Sequence, residues 1–421
     1  MIRVSSLLML LVLSNPVLAQ DQASTDLPTR LSAYLEPYAA AGQLSGVILV
    51  ARGSEVLFER AYGMANYELS VPNTVETRFN IASITKPMTI AVVVKMIEEG
   101  KLGQEDPLSK FIPDFPKANA ITVVGLLNHR AGIPHRVTTA EQETVPHTAA
   151  DMVAFAKEKE LTFEPGGRSS YSSAGYSVLA RVVEIADGKP FSEVLQARLF
   201  DPLGMVQSAD VDGRTVLPGR ASSYFVVGDE RVNAPLQDLS FLVGAGSVTT
   251  TARDLFRFAR GVVESKLGPS VTASLMRSDG LHWNGSTSGF RAFVEYDRET
   301  DLTLVVTANQ PTGVNDSIRE DIPRIVAGEE VSSRELPNVT AFPISDVSVA
   351  LLEGTYESRP GAQLEMVRAG DYFRIGSWFL VPTGERSLFS YQDYSPVNVR
   401  LNDEGKVDGL EWGELYMRRV E

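Results

Sequence analysis

The stretch RFNIASITKPMTIAVVVKMIEEG (residues 78–100) contains a serine and a lysine three residues apart, directly before the most apolar helix predicted in the chain. Residues 89–99 are long and strongly apolar, and Gly100 follows them as a helix C-cap, so the sequence predicts a buried helix. Ser83 and Lys86 stand at positions i and i+3, which share one helix face. Their side chains are therefore expected to approach within hydrogen-bonding distance.

The tetrapeptide SITK (residues 83–86) fits the S-x-x-K pattern of serine enzymes that use a lysine to manage the proton. A serine hydroxyl is a weak nucleophile until a neighbouring base takes its proton, and a helix N-terminus stabilises developing negative charge. Such a match arises by chance roughly once in 400 residues, so the alternative is a capping serine beside a solvated lysine. The flanking residues 79–82 and 87–89 are largely apolar, which favours a functional site.

The composition of the 421 residues excludes several classes of protein. Hydrophobic residues make up 43% and charged residues 22%, which is typical of a globular protein and not of a disordered or collagen-like chain. The chain has no cysteine, so disulfides, a thiolate nucleophile and a cysteine-based zinc site are excluded. The formal net charge of −14 disfavours nucleic acids and anionic membrane surfaces as partners.

Residues 1–19 have the pattern of a secretory signal peptide. Arg3 supplies a positive charge, residues 4–13 are largely apolar, and small side chains precede a predicted cleavage site before Gln20. The alternative is a short membrane anchor, but the apolar stretch is shorter than the roughly 20 residues that span a bilayer. The sequence therefore predicts a periplasmic or secreted protein with no membrane-inserted segment after signal cleavage.

Hydrophobic periodicity predicts an α+β fold built on an antiparallel sheet. Alternating apolar residues predict two hairpins, with strands over residues 46–50 and 56–60 and over residues 290–296 and 302–308. Helical spacing predicts helices over residues 26–40, 149–158, 174–186, 191–199 and 251–263. Because strands open and close this region, we expect an antiparallel sheet flanked by helices, with a helical subdomain.

The C-terminal part of the chain has a different pattern. Residues 331–346 contain two prolines and show no clear periodicity, so they are predicted to be a linker. Residues 347–421 contain short alternating runs separated by turn residues, which predict a small all-β domain, either a barrel or a sandwich. We therefore expect a main domain over residues 25–330 followed by this β-domain.

Four segments between residues 46 and 327 point to one protein family: RFNIASITKPMT (78–89), LLNHRAGIP (126–134), PLGM (202–205) and GAGSVTTTARDLFRF (244–258). They resemble the nucleophile segment and the structural signatures of the β-lactamase-like, penicillin-recognising serine hydrolases. This family includes class C β-lactamases, D-Ala-D-Ala carboxypeptidases, D-aminopeptidases and family VIII carboxylesterases. The resemblance implies a β-lactamase-like fold and an acyl-enzyme formed on Ser83.

The family's second motif, Tyr-x-Asn, is matched by Tyr171-Ser172-Ser173. By this resemblance Tyr171 passes the proton between Ser83 and the leaving group, with Lys86 as the cation that favours its phenolate. Two close groups titrate as a pair, so the sequence leaves open whether Lys86 or Tyr171 is the general base. Ser173 replaces the asparagine as a substrate-binding residue and has one hydroxyl in place of an amide.

The family's third motif, Lys-Thr-Gly or His-x-Gly on the sheet edge, is matched by Trp283-Asn284-Gly285 when WNGSTSGF (283–290) is aligned on its final Gly-Phe. By resemblance these residues bind substrate, and the backbone N–H groups of Ser83 and Ser286 form the oxyanion hole. Trp-x-Gly at this position resembles the family VIII carboxylesterases, and an indole in place of the cation favours neutral, apolar acyl groups. The alternative for Trp283 is a plain core aromatic residue.

The four histidines are not assigned to the chemistry. His282 lies one position out of register with the third motif, and one position on a strand turns a side chain to the opposite face, so it is predicted to be structural. His129, His135 and His147 are scattered through predicted loops without the spacing of metal ligands. No metal site and no cofactor are therefore predicted.

The sequence thus predicts an exported serine hydrolase, with a carboxylesterase on neutral apolar esters as the leading interpretation. A β-lactamase, D-Ala-D-Ala carboxypeptidase or D-aminopeptidase is an alternative that needs another cation, for which Arg130 and Arg136 are candidates. A weakly active penicillin-binding-like sensor or binding protein is a further alternative. The expected partner is a small ester, amide or peptide, while the natural substrate, the oligomeric state and the role of the β-domain stay open.

Overall fold

The computed structural model describes residues 17–228, 230–359, 362–376 and 378–420. Most of the predicted signal peptide, residues 1–16, lies outside the described residues, so that interpretation stays a prediction. Within the described residues, no helix combines the length and the apolar character needed to cross a bilayer.

Helices and strands both contribute to the main domain, whereas strands make up most of the C-terminal part. The helices are α1 (Val17–Ala40), α2 (Thr85–Glu98), α3 (Val123–Leu127), α4 (Ala149–Lys157), α5 (Ser173–Asp187), α6 (Phe191–Leu195), α7 (Asp201–Leu203), α8 (Ala252–Val263), α9 (Pro269–Leu275), α10 (Val314–Val326) and α11 (Asp346–Leu352). The strands of the main domain are β1 (Gly46–Arg52), β2 (Glu55–Tyr62), β3 (Met64–Asn66), β4 (Val71–Pro72), β5 (Phe79–Asn80), β6 (Ala209–Asp210), β7 (Tyr224–Val227), β8 (Glu230–Asn233), β9 (Val248–Thr250), β10 (Gly280–Thr287), β11 (Phe290–Asp297) and β12 (Leu302–Ala308). The C-terminal strands are β13 (Gly354–Arg359), β14 (Ala362–Ala369), β15 (Tyr372–Ile375), β16 (Trp378–Gly384), β17 (Ser387–Ser390), β18 (Ser395–Leu401), β19 (Val407–Trp412) and β20 (Leu415–Arg419).

An antiparallel sheet in the order β10-β11-β12-β1-β2 forms the centre of the main domain. Alternate side chains of a strand point to opposite faces, so β1 contributes to two cores. Val47 and Leu49 pack in the core that includes α2 and α8, whereas Ile48 and Val50 pack in the core formed with α1 and α10. Helices therefore cover both faces of the sheet, which confirms the predicted α+β class and both predicted hairpins.

The helical subdomain is built around α5, which packs against α2, α3, α4 and α6. The predicted helix over residues 191–199 is α6 continued by a π-helical turn, Gln196–Phe200. No local periodicity predicts the small sheet β5-β9-β6, because its strands are two or three residues long and come from distant parts of the chain. This small sheet fixes the segment that leads into the nucleophile.

The C-terminal strands β13–β20 form a closed antiparallel barrel, in which β20 pairs back on β13. The structure thus confirms the predicted β-domain and identifies it as a barrel. Its interior is filled by buried apolar side chains such as Phe373, Leu380 and Met417. One helix, α11, precedes the barrel where only strands were predicted, and the Ser345 side chain caps it by accepting a hydrogen bond from the Ser348 N–H.

The barrel packs on the β7–β8 hairpin of the main domain. Phe225 of β7 is fully buried, and its ring centroid lies 5.3 Å from that of Phe379 in β16. The segment between α10 and α11 also contacts the main domain, because the Arg334 guanidinium donates two hydrogen bonds of 3.0 Å to the carboxylate of Asp321 in α10. These contacts hold the barrel beside the part of the chain that contains the predicted site.

Candidate active site

Ser83 lies in a short 3₁₀ turn, Ala82–Ile84, between β5 and the start of α2. Ala82 has φ 48°, in the left-handed region that is strained for a residue with a side chain. Asn80, which is buried, compensates this strain: its Oδ1 accepts the Ala82 N–H at 2.9 Å and its Nδ2 donates to the carbonyl of Gly246 at 2.9 Å. The turn that contains Ser83 is therefore held in place by a side chain of the small sheet.

The three predicted catalytic side chains meet at the Ser83 hydroxyl. The Tyr171 hydroxyl donates to Ser83 Oγ at 2.7 Å, and Lys86 Nζ donates to it at 3.3 Å. Lys86 Nζ also donates to the Ala245 carbonyl at 2.9 Å and to Ser173 Oγ at 3.2 Å. Ser173, which was predicted to bind substrate, thus contacts Lys86 directly.

Lys86 is buried, with 4% of its surface exposed, and this burial lowers the pKa of its ammonium to about 7. With a pKa of about 7, both the protonated form, which can donate all three hydrogen bonds, and the uncharged form, which can accept a proton, are present at neutral pH. Its Nζ lies 4.7 Å from the centroid of the Tyr171 ring. Lys86 and Tyr171 therefore contact each other as well as Ser83 Oγ.

Two histidines pack on Tyr171, a contact that the sequence interpretation missed. The ring centroids of His129 and His135 lie 4.7 and 5.4 Å from the Tyr171 ring centroid. Each Nδ1 accepts a backbone N–H, from Ser172 at 3.2 Å for His129 and from Ser173 at 3.3 Å for His135. Burial and, second, the nearby Lys86 charge lower the pKa of His129 to about 4, so this ring is neutral at pH 7.

Both histidines lie in or next to LLNHRAGIP (126–134), a segment that resembles one of the family's structural signatures. His129 is inside LLNHRAGIP and His135 is the residue that follows it. Loop residues placed by contacts distant in sequence have no periodicity, so only their closeness to a family signature distinguishes them. His147, the third loop histidine, lies apart from this pair, with its Nε2 2.6 Å from the Gln142 carbonyl.

Strand β10, at one edge of the central sheet, contains the third motif. A Cβ built on Gly285 would lie 2.2 Å from the Ile81 carbonyl oxygen and 3.1 Å from the Ser83 nitrogen, so only glycine permits this close approach. Asn284 and Ser286, on the other face of the strand, line the cavity at Ser83. The backbone around Gly285 and Ser286 is thus adjacent to the nucleophile turn.

Trp283 lies in the core and not in the cavity lining. Its indole is buried and stacks on Phe258 of α8, with ring centroids 4.9 Å apart. This position agrees with the alternative that Trp283 is a core aromatic residue. Because the indole does not line the cavity, it does not support the prediction that the cavity favours neutral, apolar acyl groups. His282, one residue before, points to the opposite face, where its Nδ1 lies 2.5 Å from Glu295 Oε2 of the neighbouring strand.

A cavity of ≈ 410 Å³ opens at Ser83 and Tyr171. Arg136 is in its wall, whereas the exposed Arg130 is not and instead donates to the Gly166 carbonyl. Among the residues that the structure describes, no cluster of three or more His, Cys, Asp or Glu side chains is arranged to hold a metal ion. The other residues lining the cavity are His135, Ser173, Gln237, Phe241, Leu242, Ala245, Asn284, Ser286, Thr287 and Ser288.

Several known proteins are similar to this chain in sequence or in fold. Penicillin-binding protein 4 of Amycolatopsis lactamdurans is 28% identical over 349 residues, which span 73% of this chain and 91% of that protein. Esterase EstB of Burkholderia gladioli is 30% identical over 204 residues, spanning 44% of this chain and 51% of the esterase. The crystal structure of SurE superposes with a TM-score of 0.62 at 21% identity and covers 95% of this chain and 100% of SurE, so the likeness of fold extends into the barrel.

The family model named Beta-lactamase matches residues 31–327, which contain the central sheet, the helical subdomain and the Ser83 site. The match covers well over half of the chain, and it agrees with the motifs and with the central antiparallel sheet covered by helices on both faces. The chain therefore belongs to the Beta-lactamase family of serine hydrolases.

Proposed function

We propose that this protein hydrolyses carboxylic esters through an acyl-enzyme formed on Ser83. The observation that supports this most directly is the position of Ser83 Oγ, which lies 2.7 Å from the Tyr171 hydroxyl and 3.3 Å from Lys86 Nζ, within reach of proton transfer to either group. A serine hydroxyl needs such a neighbouring base to become nucleophilic, and a lysine whose pKa burial lowers to about 7 supplies one at neutral pH. An ordinary surface lysine would stay protonated.

In the first step Ser83 Oγ attacks the ester carbonyl carbon while its proton passes to the Lys86–Tyr171 pair. The carbonyl oxygen becomes negatively charged and accepts hydrogen bonds from the backbone N–H groups of Ser83 and Ser286. Collapse of this intermediate breaks the bond to the leaving oxygen, which takes the proton from Tyr171. Water then attacks the acyl-enzyme by the same route and releases the carboxylic acid.

Two features favour an ester over a peptide or β-lactam as the substrate. One is that the relative EstB is named an esterase. Phe241, Leu242 and Ala245 give one side of the cavity an apolar surface that suits an acyl chain. We infer a short or medium acyl group, because ≈ 410 Å³ is near the lower end for ligand cavities.

The proposal is tested by assaying the protein and its Ser83→Ala variant with p-nitrophenyl butyrate, a chromogenic cephalosporin and a D-Ala-D-Ala peptide. We expect turnover of the ester that disappears in Ser83→Ala, and much slower turnover of the other two. Comparable turnover of the cephalosporin or the peptide would assign the protein to the β-lactamases or peptidases. Absence of any Ser83-dependent turnover would indicate a binding protein.

We also propose that the protein is exported, on the basis of the signal pattern in residues 1–19. Expression of the full chain in a bacterium with a Sec pathway should then yield a mature protein that begins at Gln20. N-terminal sequencing of the purified protein and its distribution between cytoplasm and periplasm check this. A mature protein that keeps Met1 and stays in the cytoplasm contradicts export.

A further inference from the structure

His129 accepts hydrogen bonds from the backbone on both sides of Tyr171. The Ser170 N–H donates to the His129 carbonyl at 2.9 Å, and the Ser172 N–H donates to His129 Nδ1 at 3.2 Å. Tyr171 lies in an irregular segment directly before α5, so its backbone depends on loop contacts of this kind for a fixed position. One residue thus holds the chain immediately before and immediately after the tyrosine.

His135 holds the start of α5, two residues after Tyr171. The first N–H groups of a helix have no acceptor within the helix itself. At this end of α5 the Ser173 N–H donates to His135 Nδ1 at 3.3 Å, and the Ala174 N–H donates to the His135 carbonyl at 3.3 Å. Both histidines therefore use the same two acceptors, the carbonyl oxygen and Nδ1, to hold the segment that contains the tyrosine.

The same two imidazole rings pack on the phenol ring of Tyr171. The planes of His129 and His135 are inclined to it by 43° and 44°, at the centroid distances of 4.7 and 5.4 Å given above. The His129 ring also lies 5.0 Å from the ring of Tyr176 in α5. Because Tyr171 is 36% exposed, burial alone does not fix its side chain, and ring contacts restrict the rotamers that it can adopt.

The acceptor role requires that the imidazoles are neutral. A neutral ring has one N–H and one acceptor nitrogen, whereas an imidazolium donates from both nitrogens. Burial and, second, the Lys86 charge lower the pKa of His129 to about 4, so its Nδ1 remains an acceptor at neutral pH. His129 also has φ 57°, a left-handed conformation that is uncommon for a residue with a side chain and is retained only where the surroundings hold it.

We propose that His129 and His135 are positioning residues for Tyr171. They act on the reaction through the tyrosine: their acceptors fix the backbone beside it, and their rings fix the phenol so that its hydroxyl lies 2.7 Å from Ser83 Oγ. The inference rests on the proposed function, in which Tyr171 gives its proton to the leaving oxygen. A displacement of about 1 Å at such a group can lower the rate about a hundredfold.

The test compares phenyl butyrate with p-nitrophenyl butyrate, which form the same butyryl-enzyme and differ in the basicity of the leaving oxygen. Phenolate is the more basic leaving group, so its departure depends more strongly on the proton from Tyr171. We expect His129→Asn and His135→Asn to lower kcat/KM for phenyl butyrate about tenfold more than for p-nitrophenyl butyrate. Asparagine keeps a side-chain acceptor and tolerates the left-handed φ of residue 129, so the substitution removes mainly the ring.

His147→Asn is the matched control for these variants. His147 is also a loop histidine, but its ring packs on Phe155 and its Nε2 contacts the Gln142 carbonyl. This variant should keep the wild-type ratio of the two kcat/KM values. His135→Phe, which keeps a ring and removes the acceptor nitrogen, should lower the ratio as the asparagine variants do, and it decides the matter if one of those does not fold.

A double-mutant cycle separates positioning of Tyr171 from a general structural role. Once the Tyr171 hydroxyl is removed in Tyr171→Phe, adding His135→Asn should not lower the ratio further, because residues that act through one group are not additive. Equal losses for both esters in the histidine variants, or a further fall of the ratio in the Tyr171→Phe background, overturn the assignment and leave the esterase proposal intact. Wild-type protein that hydrolyses neither ester overturns the proposed function and, with it, the proton transfer on which this inference depends.

Discussion

Lys86 is the residue whose environment matters most to the proposed chemistry. It lies about one helical turn after Ser83, as its spacing predicts, but the sequence alone does not indicate how deeply it is buried. The burial, and not a neighbouring charge, lowers its pKa to about 7. A lysine on the surface of the same helix would remain an ammonium and would be useless as a base at neutral pH.

The pH dependence of ester hydrolysis follows from this shift. Below pH 7 Lys86 is protonated and cannot accept the Ser83 proton, so kcat/KM should fall as the pH falls, with an apparent pKa of about 7. Initial rates with p-nitrophenyl butyrate, corrected for spontaneous hydrolysis, measure it. A rate constant that is flat from about pH 5 to pH 9 contradicts Lys86 as part of the base.

Substitutions of Trp283 test whether the side chain at this position of the third motif faces the core or the cavity. Because the indole stacks on Phe258 in the core, Trp283→Lys should bury a charge and lower the free energy of unfolding by about 3 kcal/mol or more. Trp283→Phe, which keeps an aromatic ring there, should cost much less. Urea unfolding curves of the two variants measure the difference. A Trp283→Lys protein that is as stable as wild type and prefers carboxylate substrates would instead place residue 283 in the cavity.

Helices and strands are predicted best from the sequence where their own apolar residues form a regular pattern. The strands β1, β2, β11 and β12 and the helices α4, α5 and α8 follow the apolar periodicity to within a few residues. The small sheet that supports the nucleophile turn has no such signal, because β5 pairs with β9 across almost 170 positions of the chain. α1 and α2 begin before their predicted starts, since the apolar pattern identifies the buried face of a helix and not its first turn.

The β7–β8 hairpin is one of the elements through which the barrel contacts the main domain, and Phe225 is buried in that contact. Phe225→Ala should remove about 3 to 5 kcal/mol of packing at this contact. We expect the barrel to separate from the main domain before either unfolds, so that limited proteolysis cuts faster within residues 331–346. Mass spectrometry of the fragments identifies the cut.

A matched control for this prediction is Phe373→Ala, since Phe373 is equally buried but lies inside the barrel. That substitution should destabilise the barrel itself and expose cleavage sites within residues 347–421. The two variants should therefore give different fragments. Identical fragments from both, or a Phe225→Ala protein that is cut no faster than wild type, would contradict the role given to the hairpin.

For the molecule as a whole, composition and motifs predict the family, the two-part architecture and the residues Ser83, Lys86 and Tyr171 at one site. They do not predict the loop that closes this site, where His129, His135 and Arg136 meet Tyr171 and the cavity. The loop's position depends on tertiary contacts, such as the Glu143–Gln237 hydrogen bond, between segments almost a hundred residues apart. Because the loop places Arg136 in the cavity wall, the cavity has a cationic side chain although the formal net charge of the chain is −14.

The central claim is that Ser83 becomes acylated during turnover. Protein mixed with p-nitrophenyl butyrate, quenched in acid within the first turnovers and digested, is analysed by mass spectrometry. The proposed mechanism predicts a butyryl group on the peptide that contains Ser83, and neither this adduct nor ester turnover in Ser83→Ala. A butyryl group on another residue, or full ester turnover by Ser83→Ala, would contradict it.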